Sequence, residues 1–301
     1  PAKSYSELQM QLETFTEDVS TAPLLYHEEK RLKAEMEKIY QSHESALSEL
    51  FDKTWVTSFW TDNEAKEAIE ILQSMLVCTQ DLAVMVSAVT LSLLRVFDHK
   101  KFNFLLESYK HEALQVSQRA IVGIVIAISK HEKRIAFYPE TVSRLSLLCE
   151  EDSFRKNLYT IQMQLLITRE TTKIDKKMRE EIIPEMMKNA KQLNDPKFRF
   201  DESEDPEERN PEWEEWMDKS GMNDKIKEMG EWQMAGADVY MSSFAQLKHY
   251  PFFHQLSHWF YPFDLNLPIL APLKKDFDGS AFSPLKLIVH SDYFCNSDKH
   301  S

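Results

Sequence analysis

The stretch from residue 249 to residue 264 holds three histidines among seven aromatic rings, the densest collection of chemically useful side chains in the chain. Two of the histidines, His254 and His258, are four residues apart, a spacing that on a helix would place both on one face as zinc ligands. Zinc peptidases with that spacing also carry a glutamate between the histidines. The three residues that stand there are Gln, Leu and Ser. We therefore predict no metal site and no cofactor, and expect these histidines to pack on ring edges or to form ordinary hydrogen bonds.

The other candidates for catalysis are cysteines, serines and carboxylates, and their spacing predicts no active site. Cys78, Cys149 and Cys295 are far apart and form no CxxC pair, which argues against a disulfide framework and against a structural zinc site. No GxSxG sequence marks a nucleophilic serine. Adjacent carboxylates such as Glu180 and Glu181 would point to different sides of a helix and form no acid–base pair. The chain is predicted to have no catalytic residues and not to be an enzyme.

The aromatic residues of the same stretch must bury their rings against the protein, bind a partner, or do both. Aromatic anchors dominate many protein interfaces, and the composition of this stretch fits one. The residues predicted to contact a protein or peptide partner are Phe252, Phe253, Trp259, Phe260 and Tyr261. The alternative is that the rings form a hydrophobic lock between the upstream helices and the C-terminal tail.

The formal net charge of −13 argues against nucleic acid as the main partner, because a phosphate backbone requires a basic surface. Much of that charge lies between residues 201 and 215, where nine acidic residues stand with a single arginine. Such a run is typical of a solvated linker, with a docking site for a basic partner as the alternative. No stretch of about 18 apolar residues occurs, so we expect no membrane contact and a cytoplasmic location. The first residue is Pro1, which leaves open whether the chain is a piece of a longer protein.

Glycine is scarce, with 5 residues in 301, and the first is Gly123. Loops that cradle phosphate groups need glycine for their backbone conformation, so the first third of the chain holds no dinucleotide-binding or Walker-type loop. Leu, Glu, Lys, Met and Gln are frequent, and alternating β-branched patterns are few. This composition predicts an all-α protein.

Apolar residues recur every three or four positions through the first 193 residues, which predicts a succession of helices. The first is predicted to begin at Ser4 or Ser6 and to end at Pro23. The second is roughly thirty residues long, and we expect a break at residues 42–45. Thr61 and Glu64 form a capping-box pattern for the third. Further helices are predicted at 79–98, 102–111, 113–130, 139–149, 152–168, 173–193 with a kink at Pro184, 212–217, 223–229 and 231–248.

The helix predicted at 113–130 repeats the character of the apolar helix before it at an offset of 32 residues. Paired helices that recur every 32 to 40 residues are typical of a solenoid. The stretch from Asp81 to Ala190 resembles HEAT-type helical repeats, and its residues 112–125 resemble the second helix of such a unit. Ala120 and Gly123 are small enough there to let a neighbouring helix approach closely. Tetratricopeptide repeats are related, although their residue pattern is not visible. The resemblance implies a binding scaffold and carries over no catalytic residue.

The expected organisation has a helical-repeat region at residues 1–193, an acidic linker at 194–210 and an aromatic-rich helical segment at 211–301. The leading hypothesis for function is a non-catalytic scaffold of the α-solenoid type that binds another protein. Two alternatives remain: an enzyme with its site in a groove between the repeats and the aromatic segment, and a structural middle section of a larger helical protein. The sequence leaves the partner and the oligomeric state open.

Overall fold

The computed structural model describes residues 3–182, 184, 222–234, 249 and 251–263, and all regular structure within them is helical. The chain divides into two compact units. The first joins residues Pro1–Leu158 to residues Phe252–Ser301, and the second comprises Tyr159–Pro251. The predicted all-α fold is confirmed. The predicted domain boundaries stay a prediction, and the linker proposed at 194–210 lies outside the described residues.

The helices of the first unit follow one another with short connections. Their bounds are α1 Tyr5–Leu25, α2 Glu29–Val56, α3 Asp62–Gln73, α4 Thr79–Arg95, α5 His99–Tyr109, α6 Leu114–Ile135, α7 Pro139–Glu150 and α8 Asp152–Ile167, the last of which continues into the second unit. Helix α1 packs on α2, and α5 packs on α6. Helix α4 contacts α2, α5 and, most extensively, α6. It is therefore the central element of the unit.

The centre of α4 is buried on nearly every side, as its apolar sequence predicts. Apolar and small side chains from Leu82 to Val89 are almost completely removed from solvent. Gly123 of α6 faces this helix, where an added Cβ would overlap Thr90 Oγ1 and lie 2.9 Å from Leu105 Cδ1. The close approach predicted for Gly123 is confirmed. Any side chain at this position would push α6 away from α4 and α5.

Two helices begin with capping boxes: the box at Thr61 is the predicted one, and the other is at Ser4, one of the two positions predicted for the N-cap of α1. Ser4 accepts a hydrogen bond from the Glu7 amide while the Glu7 carboxylate accepts one from the Ser4 amide. Thr61 and Glu64 form the same reciprocal pair at the start of α3. These bonds satisfy amides that a helix leaves without partners in its first turn.

Two predicted helix ends are wrong. Helix α1 continues through Pro23 to Leu25, because the proline removes a single bond near the helix end and Tyr26 N still donates to Ala22 O. Helix α2 runs unbroken through residues 42–45. Tertiary packing explains its length, since α2 contacts α1 and α4 and does not depend on local helix propensity alone.

The C-terminal end of α2 is fixed by basic side chains from other helices. Lys101 of α5 is fully buried, and its Nζ donates to Thr54 O at 2.8 Å, to Ser92 Oγ at 2.7 Å and to Thr57 O. Arg95 of α4 donates to Val56 O at 2.6 Å. The last carbonyls of a helix lack partners within it and carry partial negative charge, so these cations both satisfy and neutralise that end.

An aromatic pair completes this region, which we call the buried corner: Tyr5, Thr54, Trp60, Ser92 and Lys101. Trp60 Nε1 donates to Tyr5 Oη at 2.9 Å, and Tyr5 Oη lies 3.2 Å from Thr54 Oγ1. Burial raises the pKa of Tyr5 to about 12 and lowers the pKa of Lys101 to about 8. Since Nζ has three oxygen acceptors, an ammonium group matches them with its three protons.

In the second unit, α8 leads through a 3₁₀ turn, Thr168–Glu170, to α9, Thr171–Lys177, and to the π-helical turn Met178–Ile182. Helix α10, Met222–Met234, packs near α9: Lys177 Nζ lies 2.5 Å from Glu228 Oε1 and 5.0 Å from the centre of the Trp232 ring. The break predicted at Gly230 is wrong, since α10 runs through it. The predicted helix at 212–217 and the residues after Met234 in the helix predicted at 231–248 lie outside the described residues.

Candidate interaction groove

Residues 252–263 form a segment that we call the strap, which returns to the first unit after the chain has built the second. Most of the strap lies in two short 3₁₀ helices, Pro251–His254 and Leu256–Phe260. Gln255 between them is extended, with φ −92° and ψ 131°. His254 and His258 are therefore not one turn apart on a common helix. His254 is exposed, whereas His258 is buried.

The five rings predicted to contact a partner lie in the strap with different exposure. Phe253 and Tyr261 are buried, at 4% and 8% exposure. Phe252, Trp259 and Phe260 are half-buried. Part of this burial is against the strap itself, since Trp259 Nε1 donates to Phe253 O at 2.9 Å. The prediction that these rings contact a partner stays a prediction, and Tyr250 lies outside the described residues.

The strap is held on α2, α4 and α6 by one ring contact and one cation. The ring of Phe260 stacks on Phe51 of α2, with 5.7 Å between the ring centres. Arg119 of α6 donates to Phe260 O at 2.6 Å, and its Nη1 also lies 2.9 Å from Ser87 Oγ of α4. Burial lowers the pKa of Arg119 to about 10, so the guanidinium remains charged at neutral pH. One side chain thereby joins two helices to the strap backbone.

His258 makes the central polar contacts of the strap. Its Nδ1 lies 2.5 Å from Phe252 O, and its Nε2 lies 2.9 Å from Glu44 Oε1 of α2. The carboxylate sits off the direction of the ring N–H, so this second contact is an ion-pair approach and not a well-aligned hydrogen bond. The His258 imidazole lowers the pKa of the Glu44 carboxyl. Close by, Ser48 Oγ of α2 lies 3.4 Å from Ser257 Oγ.

Beside the strap, an open cavity of about 750 Å³ runs along α2, and we call it the α2 groove. Its wall follows α2 from Gln41 to Val56, which spans roughly 22 Å at 1.5 Å per residue. Lys3 borders it near α1, and Gln255 borders it on the strap. The remaining lining residues are Glu44, Ser45, Ser48, Glu49, Asp52, Lys53 and Thr57. Nearly all of these side chains carry a hydrogen-bonding group, but their carbon atoms supply most of the lining surface, so the groove is amphipathic.

The charges of the groove are unequally compensated. Glu49 pairs with Lys3 at 2.7 Å, and that hydrogen bond lowers the pKa of the Glu49 carboxyl. Lys53 lies over the Tyr5 ring, with Nζ 5.1 Å from its centre. Burial, with no other cause, raises the pKa of the Asp52 carboxyl. Asp52 lies at an exposed position of α2, and no neighbouring cation is among the causes that set the pKa of its carboxyl.

The sequence signals for these residues are weak. Arg119 stands next to Ala120 and Ile121 in an apolar helix. A charged residue among apolar neighbours is the only sequence feature that could have marked Arg119 as a contact residue. The sequence predicts ordinary solvated positions of a long helix for Glu44, Ser48 and Asp52. Their proximity to the strap depends on residues more than 200 positions apart, such as Ser48 and Ser257, which no local pattern reports.

Metal-binding groups, membrane-spanning helices and similarity to known proteins each bear on what this chain could do. Within the described residues, no group of three His, Cys, Asp or Glu side chains is placed to hold a metal ion. None of the described helices combines the length and the apolar character needed to cross a membrane. Comparisons with protein-family models, with curated proteins and with solved structures gave no match to this chain. The resemblance to HEAT repeats therefore stays a prediction.

Proposed function

We propose that this protein is a non-catalytic helical scaffold that binds an extended segment of another protein in the α2 groove. The observation that supports the proposal best is the groove itself, an open cavity of about 750 Å³ that is lined by α2 and by Gln255 of the strap and offers both apolar surface and hydrogen-bonding groups. Its length along α2 would hold about six or seven residues of extended chain. Side chains such as Gln41, Ser45 and Gln255 offer donors and acceptors to a peptide backbone.

The partner segment should carry a lysine or arginine that reaches Asp52. The other groove carboxylates already have cationic neighbours, since Glu49 pairs with Lys3 and Glu44 faces His258. A basic side chain at Asp52 would supply the missing countercharge, and the chain's net charge of −13 would attract such a partner.

Helical-repeat architecture and a cytoplasmic location belong to the same proposal. The pairing of α4 with α6 and of α5 with α6 is what stacked repeat units would give. Phe137 and Leu147, at the end of α6 and on α7, are 81% and 63% exposed. Such an apolar end also suits the alternative that this chain is a section of a longer helical array. An enzyme remains the least supported alternative, since it needs convergent reactive groups in the groove.

A peptide selection on the full chain tests the groove. Random nonapeptides displayed on phage are selected against the immobilised protein, and the enriched peptides are titrated by fluorescence anisotropy. We expect enrichment of peptides with a basic residue, and at least a tenfold loss of affinity for Asp52→Lys and for Ser45→Trp, which obstructs the groove. Glu37→Lys is the matched control, because it makes the same charge change at an exposed position of α2 outside the groove. Equal binding to all four proteins, or no enrichment, would refute the proposal.

The predicted ring contacts are tested separately with Trp259→Ala. If Trp259 belongs to the partner surface, the variant keeps its helical circular dichroism and its unfolding midpoint but loses affinity for the selected peptides. Unchanged affinity excludes Trp259 from the interface. Loss of the folded state assigns the ring to the core of the protein.

A further inference from the structure

We infer that docking of the strap on the helical surface is coupled to the protonation of His258. This goes beyond the proposed binding of a partner and does not depend on it. The geometry carries the inference: Nδ1 lies 2.5 Å from a carbonyl oxygen, Phe252 O, and Nε2 lies 2.9 Å from a carboxylate oxygen, Glu44 Oε1. Each ring nitrogen therefore lies close to an oxygen that can accept a hydrogen bond but cannot donate one.

A neutral imidazole satisfies one of these oxygens and turns a lone pair toward the other. With the proton on Nδ1, Nε2 carries a lone pair and no proton, and it lies 2.9 Å from a Glu44 carboxylate oxygen. With the proton on Nε2, the Nδ1 lone pair would face Phe252 O. The imidazolium form carries a proton on each nitrogen and makes both contacts attractive. Since His258 is 6% exposed, water has little access to relieve the mismatch of the neutral ring.

The charges around His258 favour the same form. Glu44 and Asp52 on α2 and Asp81 on α4 supply three carboxylates on this side of the unit, and all three act on the neighbouring Tyr261. On the cationic side, Arg119 of α6 contacts the strap, and His43 of α2 lies 2.8 Å from Asp81 Oδ2. Glu44 is the carboxylate in contact with the His258 ring, and the carboxylates on this side of the unit outnumber the Arg119 guanidinium.

The two members of the pair give the dependence on pH opposite signs. His258 contributes to docking when it is protonated, and this contribution is lost when the imidazolium gives up a proton as the pH rises. Glu44 contributes when it is ionised, and because its pKa is lowered, its contribution persists below the usual range and is lost as the pH falls further. Docking should therefore be strongest in mildly acidic solution and weaker on either side.

Hydrogen–deuterium exchange of the full chain, read by mass spectrometry over residues 252–263, tests this inference. After correction for intrinsic exchange, we expect protection of the strap to fall about tenfold from pH 5.5 to pH 8, the contribution typical of a hydrogen bond to a charged group. Protection of α4 and α6 should stay constant over this range, which shows that the strap opens without global unfolding.

Two histidine variants supply the control. His258→Gln should abolish the pH dependence, whereas His254→Gln should retain it, because His254 is the exposed histidine of the same segment. Constant protection in the wild type, or a pH dependence that survives in His258→Gln, would overturn the inference. If His258→Gln lost the protection of α4 and α6 as well, the Nδ1 and Nε2 chemical shifts of His258 in the wild type decide: titration in step with strap opening supports the inference, and no titration overturns it.

Discussion

Two regions along α2 use polar contacts in opposite ways. At its C-terminal end, the buried corner joins α1, α2, α4 and α5 through Lys101, which is fully buried and surrounded by three oxygens. Along its middle, the strap is held by His258 and Arg119, and the Glu44 side chain of the ion pair is 50% exposed. The corner depends on a lysine that is enclosed by its acceptors, whereas the strap depends on an arginine and on a histidine whose carboxylate partner is half exposed. The two regions thus differ in how far water reaches their charged partners.

The largest effect is expected when the corner loses its cation. Lys101→Met leaves two carbonyls and a hydroxyl buried without a donor, and it should lower the free energy of unfolding by roughly 3–4 kcal/mol. Urea denaturation followed by circular dichroism measures the loss. The neighbouring Lys100→Met is the control, since Lys100 binds the exposed carboxylate of Asp62, donates to a single carbonyl, Trp60 O, at 3.1 Å, and should matter much less. Equal losses in the two variants would show that Lys101 contributes no more to stability than its neighbour Lys100.

The same lysine should make stability depend on alkaline pH. Its pKa is about 8 in the folded protein and 10.5 without burial, so between these values the unfolded chain binds more protons and stability rises with pH. We expect a gain of roughly 2 kcal/mol from Lys101 between pH 8 and pH 10, diminished by roughly 0.4 kcal/mol at pH 10, because Tyr5 begins to ionise there in the unfolded chain while its pKa is about 12 in the folded protein. Urea denaturation at pH 8, 9 and 10 measures it. Lys100→Met should keep the gain, and a flat profile in that variant would show that Lys101 is not its source.

A third prediction concerns the contact between α4 and α6 that supports the strap surface. Gly123→Ala should cost about 2 kcal/mol, because the new methyl overlaps Thr90 Oγ1 and the helices must separate. Gly230→Ala is a matched control: nothing lies within 4 Å of its Cβ position, so the same change should be neutral or stabilising. Adding Thr90→Ala to Gly123→Ala should recover part of the loss. Thermal unfolding compares all three.

The smallest effect is expected for the cation that holds the strap. Arg119→Met removes the donor to Phe260 O and should cost about 1.5 kcal/mol, with faster amide exchange in residues 252–263 and little change in α1 or the corner. Arg144→Met, which breaks an exposed pair with Glu140, should leave exchange in the strap unchanged. A uniform loss of protection in Arg119→Met would show that the strap and the helical core open together.

Sequence reasoning succeeded where the cause is local. The capping boxes at Ser4 and Thr61 and the close approach at Gly123 follow from side chains within one or two turns or from residue size alone. It failed at Pro23 and at residues 42–45 because packing against other helices overrode the local preference. The predicted break at Gly230 is wrong for a different reason: a single glycine destabilises a helix too little to end it.

The candidate site was predictable only in part. The aromatic stretch was recognised from composition, and the ordinary hydrogen bond expected of its histidines is found for His258, with Phe252 O. The groove was not recognised, because its residues look like any solvated helix face. Lys101 was equally hidden, since a buried lysine differs from an exposed one only in what surrounds it after folding. Contacts that link positions 44 and 258 become visible only when the chain has folded.

The order in which the chain is synthesised gives the long return of the strap a further consequence. Ser257 leaves the ribosome 209 residues after Ser48, which it contacts in the finished protein. At about 5–20 residues per second, α2 stays uncovered for roughly 10–40 seconds, and the surface completed by α6, which ends at Ile135, stays uncovered for roughly 6–24 seconds. During that interval Phe51 and Arg119 are open to any suitable segment in the cell. A partner synthesised nearby would therefore meet this surface before the strap does, which makes assembly during translation a matter of timing as well as affinity.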